Sequence, residues 1–176
     1  MPSIPLFSIV IFPNEDQIQQ VKKFKQLLKS KIGWFGSTNA AAHITVINFE
    51  NELTLALYIE QIREYCKTVT PQNVIFNSWG TFGEKTFFIS PDEKSKLYLN
   101  SLISQLHSFI GFKTNNINAH LTIARGLDAE KMTTAKTIFS NTEVNLEFIC
   151  DAIYIRKFNN KTQQYTDIVE KIHFEC

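Results

Sequence analysis

A His-apolar-Thr tripeptide occurs twice in this chain, once in each half, and each copy opens a short run rich in β-branched residues. The first is His43-Ile44-Thr45, inside the stretch from Ala42 to Phe49. The second is His120-Leu121-Thr122, inside the stretch from Ala119 to Arg125. Runs of this composition read as strands. In a strand, residues two apart share a face. Each His therefore points the same way as its Thr, while Ile44 or Leu121 points to the other side. Two such strands brought together set two imidazoles and two hydroxyls around one small polar site, an outfit suited to acid–base chemistry on a phosphate.

The elements around the motifs follow from periodicity. Ile4 to Phe12 reads as a strand ending at Pro13-Asn14. Glu15 to Ile32 carries apolar residues at Ile18, Val21, Phe24, Leu28 and Ile32, the three-and-four spacing of an amphipathic helix. Asn14 is the expected cap and Gly33 the stop. A loop over 33–42 leads into the first His strand, and a helix over roughly 53–69 follows. Strands are expected near 73–79 and 85–90, joined around Gly80 and Gly83. A helix opening at Pro91-Asp92 presents Leu97, Leu102, Ile103, Leu106 and Ile110 on its apolar side. After the second His strand come a short helix over about 128–139 and strands near 143–149, 152–158 and 165–174. Each half thus repeats helix, loop ending in Ala, His strand, helix. The repeat suggests two related α+β lobes with their histidine strands side by side, and the absence of a Ser/Gly/Pro-rich linker suggests one bilobed domain over 1–176.

Composition narrows the function. A chain of 176 residues is long enough for one well-buried domain or two lobes sharing a core. A net charge of +1 without a dense Lys/Arg block argues against holding long duplex nucleic acid through its phosphates. It leaves room for a nucleotide or a short RNA. Cys66, Cys150 and Cys176 have no metal-ligand spacing and leave one over after any pairing, so a reducing cytoplasm is the expected setting. The N-terminal residues lack the pattern of a signal peptide, and no segment approaches the ~20 apolar residues of a membrane span. A soluble monomer is expected.

A lone His-x-Thr in a strand is a frequent accident, because Thr favours strands and His is often half-buried. Two copies that both follow Ala, both have an aliphatic middle residue and both precede a β-branched residue are harder to dismiss. A neutral imidazole accepts a proton and an imidazolium donates one, and an ordinary pKa near 6.5 makes both forms accessible. Two histidines flanking a phosphorus divide the work between activating water and protonating the leaving sugar oxygen, while threonine hydroxyls hold the non-bridging oxygens. The scheme requires neither metal nor cofactor.

The motifs and the element order around them resemble the 2H phosphoesterase superfamily, in particular the bacterial 2′-5′ RNA ligase-like (LigT-like) proteins. The resemblance spans the chain in element order but matches specific residues only at His43, Thr45, His120 and Thr122. The run from His120 to Arg125 is also similar to the family's longer second motif. It implies two pseudo-symmetric lobes, each an antiparallel sheet with helices packed outside, and a central cleft bearing both motifs. It also implies metal-independent opening of nucleoside or RNA 2′,3′-cyclic phosphates to 2′-phosphates. A 2′-5′ RNA ligase and a non-catalytic nucleotide-binding module are the alternatives. By this analogy His43 is the general acid, His120 the general base, and Thr45 and Thr122 the phosphate-oxygen donors.

Arg125 sits at odd spacing from His120, so it faces away unless the strand ends or bulges before it. Its two roles are a phosphate contact at the cleft rim and a surface ion pair. For base stacking, worth about 1–3 kcal/mol per base, Phe12, Trp34, Phe35, Phe49, Trp79 and Phe82 are available. Trp34-Phe35, between Gly33 and Gly36, is the most loop-like pair and suits a mobile lip. Lys22, Lys23 and Lys25 read as the solvated face of the first helix. His107 and His173 read as structural or solvated.

Overall fold

The computed structural model describes residues 3–176; Met1 and Pro2, part of the N-terminal stretch read above, lie outside the described residues. The order is β1 (Phe7–Ile11), α1 (Glu15–Ile32), β2 (Ile44–Phe49), α2 (Glu52–Cys66), β3 (Gln72–Phe82), β4 (Thr86–Pro91), α3 (Glu93–Phe109), β5 (Leu121–Ala124), α4 (Ala129–Phe139), β6 (Leu146–Cys150), β7 (Ala152–Asn159) and β8 (Gln164–His173). The strands form two four-stranded sheets, in the orders β2-β1-β7-β8 and β5-β4-β3-β6, and every pairing is antiparallel. This is the expected two-lobed α+β architecture. The two histidine strands do not pair with one another. Each is an edge strand of its own sheet.

The lobes do not coincide with the halves of the chain. β7 and β8, from the C-terminal part, complete the sheet begun by β1 and β2. α1 crosses to the second sheet, where it contacts β5, β6 and α4, while α2 packs on β8 and α3. Local periodicity shows which face of a helix is apolar but not which sheet it covers; burial of the sheet faces decides that. One continuous core results, with Ile9, Ile44 and Ile155 from the first sheet and Phe76, Phe87 and Ile89 from the second.

Local details test the signals. α1 buries Val21 and Leu28 and stops at Gly33, whose φ of 78° suits glycine and whose N–H bonds to Lys29 O. Asn14 occupies the cap without a side-chain cap bond. In α3 the inward face is Ser95, Leu99, Leu102, Ile103 and Leu106, so Leu97 falls off the stripe and is 72% exposed. Gly80 is not part of the turn. It lies within β3, and the chain reverses at Gly83.

Candidate active site

The two motifs sit in matching local structures. β2 pairs with β1 as Val10↔Thr45 and Ile9↔Ile47, which leaves Val46 as the extra residue of a bulge. β5 pairs with β4 as Phe88↔Thr122 and Phe87↔Ala124, which leaves Ile123 as the extra residue. Both bulges thus fall on the residue after the threonine. A bulge doubles one step of the in–out alternation and re-aims the side chains beyond it. Accordingly Val46 and Ile47 are both buried, as are Ile123 and Ala124. The next residue, Asn48 in one lobe and Arg125 in the other, is exposed and back in phase with the His and Thr. The condition under which Arg125 joins the motif face is therefore met.

Each histidine sits just before its strand, behind a buried alanine, Ala42 or Ala119. His43 Nδ1 lies 2.7 Å from Ala41 O, and His120 Nδ1 lies 2.7 Å from Asn118 O. A carbonyl oxygen only accepts, so each Nδ1 carries a hydrogen and each Nε2 is left to take or hold the mobile proton. Thr45 is exposed and Thr122 half-buried.

The charges around the two rings differ. Burial pushes the His43 imidazole down to about 3, and the Arg156, Lys25 and Arg125 cations push the same way against the bond to Ala41. His120 is also lowered, by burial alone, against its bond to Asn118. Both rings are neutral at pH 7 in the free site. Arg125, on the His120 strand, acts on His43 and so links the two motifs electrostatically. The loop before His43 also bonds to the second motif: Arg125 N–H bonds to Gly36 O at 3.2 Å, and the Ser37 side chain donates from Oγ to Ile123 O at 3.0 Å.

Sequence reasoning missed two of these cations. Lys25 is buried, not solvated like its neighbours Lys22 and Lys23. Its Nζ donates to Ser37 O and Ala40 O at 2.9 and 2.7 Å, holding the loop that carries His43, and burial lowers its pKa to about 8. Arg156 on β7 is opposite Ser8, which is opposite Asn48, so it shares the motif face of the first sheet. The signal was a lone arginine following the strand run Ala152-Ile153-Tyr154-Ile155, where alternation places it beside Tyr154 and not in solvent.

Among the aromatic candidates, Phe82 lies at the site. Its ring stands edge-on to His120 with centroids 4.9 Å apart, and Phe88 completes the cluster at 5.0 Å from His120. Gly80 makes room for it, since a Cβ there would meet the Phe88 ring at 2.5 Å. Phe12 lies edge-on to Tyr154 on the first sheet. Trp79 packs among Phe24, Phe87 and Phe139, and Phe49 stacks on Phe7, both as core residues. The expected lip is not one at Phe35, which is buried and bonded to Thr38, though Trp34 is 68% exposed. His107 is buried in a structural role and His173 is exposed, as expected.

A cavity of about 490 Å³ lies between α1 and residues 38–42 and is lined by neither histidine. Among the described residues no group of three or more His, Cys, Asp or Glu is placed to hold a metal ion, and all three cysteines are free. No helix among them is long and apolar enough to cross a membrane.

Two antiparallel sheets flanked by helices, with an edge strand of each opening on His-apolar-Thr, define a two-lobed α+β class of protein. Within that class the chain belongs to the 2′-5′ RNA ligase superfamily, the 2H phosphoesterases, whose family model matches residues 13–162. Solved structures share the fold at low identity. TT0787 of Thermus thermophilus is 14% identical, with a TM-score of 0.64 over 97% of this chain and 98% of that one. E. coli LigT complexed with 3′-AMP is 11% identical, with a TM-score of 0.62 over 99% and 100%. Kluyveromyces marxianus Usb1 with uridine monophosphate is 13% identical, with a TM-score of 0.52 over 95% and 97%. Among curated proteins, no sequence matches this chain closely enough to count as a relative.

Proposed function

We propose that the chain is a metal-independent cyclic phosphodiesterase that opens 2′,3′-cyclic phosphates of nucleotides or RNA ends to 2′-phosphates, using His43 and His120 as its acid–base pair. The observation that carries the reading is the matched geometry: the same Nδ1-to-carbonyl bond at both rings and the same bulge after both threonines. Packing alone gives no reason to repeat both features. The nucleotides bound by LigT and Usb1 in their structures are consistent with a nucleotide ligand here.

In this mechanism one Nε2 takes a proton from the attacking water while the other, as imidazolium, gives its proton to the departing 3′-oxygen. The P–O3′ bond breaks as the P–O bond to water forms, and the 2′-ester survives. Thr45 and Thr122 donate to the non-bridging oxygens, and Arg125 offsets their charge. The resemblance to the family makes His43 the acid and His120 the base. The charges of the free site favour the reverse, because Arg156, Lys25 and Arg125 oppose an imidazolium at His43 while His120 meets only burial. The protein is read as acting in the cytoplasm, as a monomer.

The test is incubation with the four nucleoside 2′,3′-cyclic phosphates in excess chelator, with the 2′- and 3′-phosphate products resolved. Formation of 2′-phosphates supports the reading. Activity abolished by EDTA and restored by a divalent ion overturns the metal-free mechanism. Joining of RNA ends in place of hydrolysis would assign the same site to the ligase reaction.

A further inference from the structure

Arg156 is a buried charge without a counter-ion. It is 5% exposed, its guanidinium donates to Ser8 Oγ at 2.9 Å, and its buried Nε has no partner. Buried charges are ordinarily paired, since desolvation is otherwise uncompensated. No acidic side chain among the described residues forms an ion pair with it. The nearby acids are engaged elsewhere: Glu170 with Arg63, Glu52 with Lys157, and Asp167 with Asn159. The surroundings of the guanidinium are aromatic, with the Phe12 ring centroid at 5.5 Å and the Tyr165 centroid at 5.2 Å. Ring faces stabilise a cation partly. They do not neutralise its charge.

Arg156 stands on a different strand from the groups assigned to the reacting phosphate, although its charge reaches His43. Thr45 lies on β2, and Thr122 and Arg125 follow the second histidine at β5. Arg156 stands on β7, two strands in from β2, and is pinned by Ser8 on the strand between. The same face carries a second cation over a ring, Lys171 Nζ at 5.3 Å from the Tyr154 centroid. Cations interleaved with aromatic side chains on one sheet face suit the successive phosphates and bases of a single strand.

We propose that Arg156, held by Ser8 between Phe12 and Tyr165, forms a subsite for a second phosphate on the ligand whose cyclic phosphate meets the two histidines. This rests on the function proposed above. The preferred substrate then carries a phosphate besides the cyclic one, either the internucleotide phosphate of an RNA end or a terminal phosphate on a single nucleotide.

The test compares kcat/KM for adenosine 2′,3′-cyclic phosphate, its 5′-phosphorylated form, and an ApA dinucleotide ending in a 2′,3′-cyclic phosphate. The wild type prefers at least one of the two doubly phosphorylated substrates by about tenfold or more, the scale of one charge-assisted hydrogen bond. Preference for the dinucleotide alone identifies an internucleotide phosphate, and preference for both identifies any second phosphate. In Arg156→Met the ratio between substrates falls to near one, whatever happens to the absolute rate, and Arg156→Lys retains part of it. Equal kcat/KM on all three in the wild type, or a ratio that survives Arg156→Met, overturns the proposal. If Arg156→Met does not fold, the wild type suffices. The apparent affinity for the doubly phosphorylated substrate then falls with salt more steeply than that for the singly phosphorylated one, and equal slopes overturn the subsite. If no cyclic phosphate is turned over at all, the hydrolase reading fails by itself. The subsite is then judged by whether adenosine 3′,5′-bisphosphate binds about tenfold tighter than adenosine 3′-phosphate, and equal binding overturns it.

Discussion

His107 reaches from α3 to donate its Nε2 hydrogen to the carbonyl of Val46, 2.8 Å away, the extra residue of the bulge that follows Thr45. Its Nδ1 lies 2.6 Å from Thr114 Oγ1, a hydroxyl able to partner it in either direction. In the other lobe Ser37 Oγ does the same for the carbonyl of Ile123, the bulge residue after Thr122, at 3.0 Å. A bulge releases a carbonyl from its ladder, and a buried carbonyl left unpaired is costly. Each motif is therefore held in shape by one side chain from outside its sheet.

Removing either pin should loosen the motif it supports. His107→Ala and Ser37→Ala are each expected to lose about 1–3 kcal/mol of stability, the cost of an unsatisfied buried acceptor. Each should also lower kcat on a 2′,3′-cyclic phosphate, although neither residue touches the substrate. Urea unfolding and steady-state kinetics check this. A stability loss with unchanged kcat would make the pins purely structural.

Lys25 serves the same loop from the helix side. Lys25→Met removes two charge-assisted bonds to Ser37 O and Ala40 O, next to the Ala41 carbonyl that orients His43. Each such bond is worth about 1.5–3 kcal/mol. Faster amide exchange confined to residues 37–43, together with lower activity, is the expected result. Unaltered exchange there would remove Lys25 from the account.

Stability should fall with acid for a traceable reason. His43 is held at about 3 in the folded chain and His120 is also lowered, whereas both return to about 6.5 when unfolded. Below that value the unfolded chain binds protons that the folded chain refuses, so their contribution is complete above about 6.5 and is lost as the pH drops. The difference in unfolding free energy between pH 7 and pH 5 should shrink in His43→Asn. An unchanged difference would contradict the assigned burial and charge.

The acid and the base can be told apart by the leaving group. An activated nitrophenyl ester of the phosphate needs no proton at the leaving oxygen, so the variant lacking the acid should recover on it. The charges of the free site predict that His120→Ala recovers more than His43→Ala. The opposite ranking would restore the order implied by the family.

Gly80 controls the aromatic wall. In Gly80→Ala the new methyl displaces Phe88 and, through it, Phe82 and His120. Overpacking of this kind costs about 1–3 kcal/mol. A thermal melt and KM together should both worsen; an unchanged KM would show that Phe82 and Phe88 do not meet the ligand.

The sequence made some of this legible and withheld the rest for identifiable reasons. α1 runs from Glu15 to Ile32 as read, because its apolar spacing and Gly33 act locally. Both histidine strands were legible for the same reason. The pairing of β1 with β7, about 150 positions later, was not, since no local pattern encodes a partner that distant. The bulges left a faint trace in the adjacent apolar pairs Val46-Ile47 and Ile123-Ala124, which break the strand alternation. Leu97 and Lys25 were misplaced because helix phase is set by the packed core: α3 turns Leu97 outward, and α1 turns Lys25 under the loop.

On the proposed function, His43 and His120 act as one unit on a cyclic phosphate. The most direct test is kcat/KM on a nucleoside 2′,3′-cyclic phosphate for the wild type, His43→Ala, His120→Ala and the double variant. Groups that share one step are non-additive. Each single variant should lose about 10²–10⁴-fold, and the double variant should lose little more than the worse single. Losses that simply multiply, or a single variant that keeps wild-type activity while folded, would contradict the account.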